Sequence, residues 1–198
     1  MADSTPKPIN HSDPSTWPDP LQGYEQFFPL PPDTKNPDAR SLAPPRPGPH
    51  TLSKTYETFP QPLQTSSRTA AFDIHIYHTT PAETEYARKL HTRIRLEFPE
   101  IRVYPFHDRP IGPHPAGMFE LNVFTPAQLG ALVGFLVIYR QGLKVLLHPN
   151  TGEVYGDHMV RAGWWGGEME LNSGVFRMEG LAGGRRGSRG GKAEGEVV

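Results

Sequence analysis

Seven of the nine histidines fall between residues 75 and 158. The densest run is His107-Asp108-Arg109-Pro110-Ile111-Gly112-Pro113-His114-Pro115, followed by His148-Pro149-Asn150-Thr151-Gly152 and by Asp157-His158. Neutral imidazole is the commonest protein ligand for a transition metal, and its pKa suits proton transfer near neutrality. Proline fixes φ, so imidazoles on such loops lose less entropy when they gather round one point. The chain has no cysteine, which excludes thiolate sites, Fe–S clusters, disulfides and cysteine nucleophiles. Any metal must then be held by nitrogen and oxygen, the donor set of Fe(II), Mn(II) or Zn(II).

The elements that position these residues are legible from periodicity. Phe72 to Tyr77 alternates apolar and polar, as a half-buried strand does. Thr80-Pro81-Ala82-Glu83 then reads as a capped helix start, with Tyr86, Ala87, Leu90, Ile94 and Phe98 at helical spacing before Pro99. Ile101 to Phe106 and Met118 to Val123 read as strands. Thr125-Pro126-Ala127-Gln128 repeats the helix start, Gly142 stops that helix, and Leu143 to His148 is a fourth strand. The order predicts an α+β, ferredoxin-like βαββαβ sandwich with an antiparallel sheet. Side chains alternate across a strand, so Ile74, Ile76, Phe119, Leu121, Val123, Val145 and Leu147 should meet the helices. His75, Tyr77, Glu120, His148, Tyr104 and Phe106 should face the other way. His75 and Glu120 each stand five residues before a helix-capping threonine, which predicts that they are neighbours on two central strands. Strands two and four are expected to run antiparallel to both. A lone strand histidine is more often structural than a ligand, whereas several on one face favour a site. Glu120 could bind metal or pair with Arg102, and His91, among Arg88, Lys89 and Arg93, reads as solvated surface.

Three regions follow from composition. Residues 1–69 hold 15 of the 23 prolines and read as a largely irregular, extended arm whose aromatic groups lie in part on the domain. Residues 70–166 form the domain, and residues 167–198 an extension ending in a flexible Gly/Arg-rich run. The formal net charge of −1 implies neither a nucleic-acid nor a membrane surface. The N-terminus lacks an apolar signal region, so a cytoplasmic protein is expected. The open sheet face carries Leu146, Phe106 and Met118, and a second subunit or the aromatic part of the arm is expected to cover it.

With its RPIGPHP stretch, its FDIHIY strand and its HPNTG and Asp157-His158 segments in this order, the region from about residue 70 to 166 resembles the fungal and bacterial DOPA 4,5-dioxygenase family. The resemblance implies a ferredoxin-like non-haem iron dioxygenase that opens a catechol such as L-DOPA beside its two hydroxyls. Its product would be a seco-DOPA of the betalamic-acid type. The implied partners are the catechol and O₂, the implied cofactor Fe(II). Extradiol chemistry needs nitrogen and carboxylate ligands, open coordination positions and an acid–base group. The residues expected to supply them are His75, His114 and His148 on the metal, with Glu120 as an alternative ligand. His107, with His158 and Tyr77, is expected to serve catalysis, and Arg109 and Tyr104 to hold the substrate. A metal-bearing module that binds small aromatic molecules without cleaving them is the competing reading.

Overall fold

Strand β1, Phe72–His78, is the centre of the sheet. It pairs antiparallel on one side with β3, Gly117–Val123, and on the other with β4, Val145–Pro149. Two short strands extend the edges: β2, Arg102–Val103, beside β3, and β5, Gly163–Trp165, beside β4. The sheet order is β2-β3-β1-β4-β5, antiparallel throughout. These statements come from a computed structural model that describes residue 14 and residues 18–38, 40–45, 52–63, 65–66 and 68–176. The Gly/Arg-rich run from Gly183, expected to be flexible, lies outside them. Among the described residues no helix is long and apolar enough to cross a membrane.

Helix α1, Pro81–Glu97, starts as its sequence dictates. Thr80 Oγ1 accepts from Glu83 N–H, and the Glu83 carboxylate accepts from the backbone of Thr79 and Thr80. Helix α2, Pro126–Tyr139, is built half that way: Thr125 caps Gln128 N–H, but Gln128 Oε1 reaches past the cap to Phe124 N–H. Ala87, Leu90 and Ile94 of α1 and Leu132 and Leu136 of α2 bury against Ile74, Ile76, Phe119, Leu121, Val123 and Val145. The alternation of β1, β3 and β4 therefore sorted the core correctly.

Three differences from the sequence reading have physical causes. First, β1 and β3 run antiparallel to each other, so β2 parallels β1 and β4 parallels β3, unlike the directions expected. Second, the ladder of β2 stops after Val103 pairs Leu121 and resumes where His107 pairs Met118. Four steps on one chain oppose three on the other, an extra residue that reverses parity; Pro105 lies inside this bulge and cannot donate to a ladder. Phe106 consequently turns to the helix side, where it stacks on His78 and Phe119 and lies under Arg88. Third, a short helix α3, Val154–Met159, and strand β5 follow β4.

The open face has its cover in this chain. Tyr77, Met118 and Leu146 are buried together with Leu171, flanked by Trp164 and Met169. Leu171 and Phe176 are buried, so packing runs on past residue 166. At the other end, the chain divides into Met1–Leu52 and Ser53–Val198. In the second unit, the part of the proline-rich segment after residue 52 packs on the domain, with the Phe59 ring edge-on to Phe72 at 5.4 Å. In the first, a 3-10 turn at Glu25–Phe27 and a bridge between Lys35 and Leu42 interrupt the irregular chain.

One position beside the bulge tolerates no side chain. A Cβ on Gly117 would collide with the His78 ring and lie 2.9 Å from the His107 carbonyl oxygen. His78 is itself pinned, by Thr84 Oγ1 at 2.8 Å and by that same carbonyl at 3.1 Å. Gly117→Ala is therefore expected to cost about 1–3 kcal/mol of stability through overpacking. Urea denaturation checks this, and an unchanged midpoint would show that the bulge yields freely.

Candidate active site

Cross-strand register builds the site. His75 stands opposite Glu120 on β3 and Leu146 on β4, and Asp73 opposite Asn122 and His148. The expected adjacency of His75 and Glu120 is present. His148 reaches the cluster from β4 and His158 from α3. One ring nitrogen from each of His75, His148 and His158 lies within 4.8 Å of the others. His75 Nε2 and His148 Nε2 are 3.1 Å apart. Two donors bound at right angles to one ion, each at about 2.1 Å, stand about 3 Å apart, so this pair has the spacing of adjacent ligands.

Tautomers are set by what the far nitrogens touch. His148 Nδ1 lies 3.0 Å from the Pro149 carbonyl and His158 Nδ1 2.9 Å from the Val154 carbonyl. A carbonyl only accepts, so each Nδ1 carries the proton and each Nε2 presents a lone pair. Burial, then the neighbouring imidazoles His114, His148 and His158, holds His75 well below the ordinary imidazole value. Burial likewise depresses His148, and it lowers His158 to about 4. All three are neutral at pH 7, as ligands must be. His75 Nδ1 is buried without a hydrogen-bond partner, so its Nε2, beside His148 Nε2, is the nitrogen at ligand spacing. Three neutral imidazoles, one pair of them at ligand spacing, fit a divalent transition metal.

His114 has a different place. Its ring lies against His75 with centroids 4.1 Å apart, and its Nδ1 is 2.7 Å from Tyr77 Oη. Burial pushes the Tyr77 phenol up, so it keeps its proton and donates it to Nδ1. Burial, then His158 and His148, lowers His114 to about 4. The convergent trio thus contains His158, expected to be catalytic, and leaves out His114, expected to be a ligand. Glu120 is outside it as well: its carboxylate accepts from Asn122 Nδ2 at 2.7 Å. Burial, reinforced by Asp73, raises Glu120 to about 7.

His107 is half-buried beside Met118, and its ring makes no hydrogen bond or stacking contact with these imidazoles. Asp108, the next residue, pairs with Arg88 of α1 and not with the His107 ring. His91, expected to be solvated, has its Nε2 3.0 Å from the Tyr104 carbonyl and meets Phe119 edge-on. Tyr104, at the β2 edge, and Arg109 are both exposed. A cleft of about 430 Å³ opens at the opposite edge, lined by His158, Trp164, Met169 and Leu171 among others. The Trp164 ring stacks on Tyr77 with centroids 5.7 Å apart, so one wall of the cleft rests on the residue that holds His114. The sequence reading missed α3, the element that delivers His158; its one mark was the four-residue spacing of Asp157 and Arg161, which pair across a helical turn.

These titrations oppose one another in the metal-free protein. The depressed imidazoles contribute stability above 6.5, and this is lost as pH falls toward about 4. Raised Glu120 contributes below 4.5, and this is lost as pH rises through about 7. Thermal melts of metal-free protein should rise from pH 4 to 6.5, because the four depressed imidazoles outnumber the two raised carboxyls, Glu120 and Asp73. Glu120→Gln should steepen that rise; a melting temperature flat across the window would contradict the burial of the cluster.

On this antiparallel α+β sheet, a histidine trio that could hold a metal ion stands beside a cleft walled in part by Trp164. Residues 72–175 match the Dopa 4,5-dioxygenase family, and the chain belongs to that family. An uncharacterized 21.2 kDa protein of Botryotinia fuckeliana is 47% identical over 172 residues, 81% of this chain and 92% of that protein. The DOPA 4,5-dioxygenase of Amanita muscaria is 32% identical over 107 residues, spanning 51% of this chain and 46% of that enzyme. A presumed dioxygenase of Nostoc punctiforme, known from a crystal structure, is 34% identical and superposes with a TM-score of 0.51 over 56% of this chain and 93% of that one. The family supports an oxygenase enzyme.

Proposed function

We propose that this chain is an Fe(II)-dependent dioxygenase that opens a catechol ring beside its two hydroxyls, with L-DOPA or a related catechol as substrate. The observation that carries the reading is the trio His75, His148 and His158, neutral by burial and convergent, with His158 lining the cleft. In this reading those residues hold Fe(II), which when bound supplies open positions for both catechol oxygens and O₂ and a Lewis acid for the catechol protons. Trp164, Met169 and Leu171 would sandwich the ring and keep water out. His114, neutral and with Nδ1 accepting from Tyr77, carries its own proton on Nε2 and would serve as the donor and acid during ring opening. Tyr77 is then a positioning residue. Overall, one ring C–C bond breaks and both atoms of O₂ enter the product, a seco-DOPA when the substrate is L-DOPA.

The test is anaerobic loading with Fe(II), addition of L-DOPA or 4-methylcatechol, then admission of air. A yellow ring-opened product with one O₂ consumed per catechol is expected. Tight catechol binding with no O₂ uptake would replace the reading with a binding module that does no ring cleavage.

A further inference from the structure

We propose that the cleft selects catechols whose side chain ends in an ammonium group, and that Glu168 and Glu170 at its rim are the specificity-determining residues. This rests on the reading of the cleft as the catechol site. His158 lines the cleft together with Trp164, Met169 and Leu171. A ring held beside His158 would place its para substituent among the other groups of the cleft. What that substituent meets is acidic: Glu168 and Glu170 line the opening and are exposed, and no arginine, lysine or other cation lines it among the described residues.

Neither neighbouring cation pairs with a rim carboxylate. Arg161 is bonded to Glu153 at 2.9 Å and to Asp157 at 3.2 Å. Lys144 Nζ rests 3.4 Å from the Glu168 backbone carbonyl, and no ion pair joins it to either rim carboxylate. Arg109, expected from sequence to take a substrate carboxylate, is exposed and does not line the cleft. Two carboxylates attract an ammonium and repel a carboxylate, so the rim discriminates by sign and not by shape. Because the rim is solvated, the discrimination is modest and salt-sensitive.

The experiment measures binding rather than turnover. Quenching of tryptophan fluorescence in the full chain, loaded anaerobically with Fe(II), gives Kd for dopamine, neutral 4-methylcatechol and anionic 3,4-dihydroxyphenylacetate. Dopamine should bind several-fold more tightly than 4-methylcatechol and 3,4-dihydroxyphenylacetate several-fold more weakly, a spread on the order of tenfold or more. The spread should shrink in 0.5 M NaCl, a concentration at which the screening length is only about 4 Å. Glu168→Gln/Glu170→Gln should bring the three affinities together while leaving 4-methylcatechol unchanged. Equal affinities in the unaltered protein, or a spread that survives the double substitution, overturns the inference. Failure of 4-methylcatechol itself to bind would instead remove the catechol site, and the inference with it.

Discussion

Replacing His158 or His148 with alanine is expected to lower Fe(II) affinity by more than about 100-fold, because losing a ligand costs more than the 10–100-fold typical of losing a ligand's support. Each residue presents Nε2 with its Nδ1 already satisfied by a backbone carbonyl, a preorganised donor that alanine removes outright. His114→Ala is expected to keep iron and to slow turnover by about 10²–10⁴-fold, the usual worth of a positioned acid–base group. Metal content after a chelator challenge, with single-turnover rates at saturating iron, separates the two behaviours. Full iron occupancy in His158→Ala would expel that residue from the ligand set. Iron loss in His114→Ala would place His114 within it, as the sequence alone suggested.

Asp157→Ala is expected to be the most damaging substitution outside the trio. Asp157 is buried at the end of α3, and its carboxylate accepts from Thr151 N–H at 2.8 Å, from the Thr151 hydroxyl at 2.7 Å and from Arg161 at 3.2 Å. These bonds tie a six-residue helix, too short to be stable alone, to the turn that follows β4. Alanine removes all three acceptor contacts from a buried place, a loss of about 3 kcal/mol. Partial exposure of Arg161, which retains Glu153, keeps the cost from being larger. Because His158 is the next residue, iron affinity should fall about 10–100-fold alongside. Denaturation and metal titration together test this, with Asp157→Asn, which keeps one acceptor oxygen, expected to lose roughly half as much stability. A variant that loses stability yet binds iron normally would show that α3 does not orient His158.

The sequence by itself determined the framework. Period-two patterning in β1, β3 and β4 placed Ile74, Phe119 and Val145 inward and His75 and His148 outward, because side-chain direction in a strand is a local property. Thr-Pro-Ala-Glu set the start of α1 for the same reason: a capping box involves only four consecutive residues. The resemblance carried by RPIGPHP and its companion segments named the family before any fold was seen. Tertiary structure decided the rest. An extra residue before His107 reversed the parity of Phe106, and nothing in the local pattern records which strand residue will go unpaired. Proline neighbours marked His114 as stiff, but stiffness does not say where an imidazole points, and the fold gave it to Tyr77. His158 joined the trio because α3 carries it back against β4, a placement fixed by the bonds of Asp157 to Thr151. The cover of the open face came from Leu171 and Trp164, through a sheet edge extended by three residues whose pairing depends on β4 and not on their own sequence. Side-chain direction within one strand or turn is written locally; the meeting of His75, His148 and His158 depends on register and on a helix that is stable only in contact with the sheet.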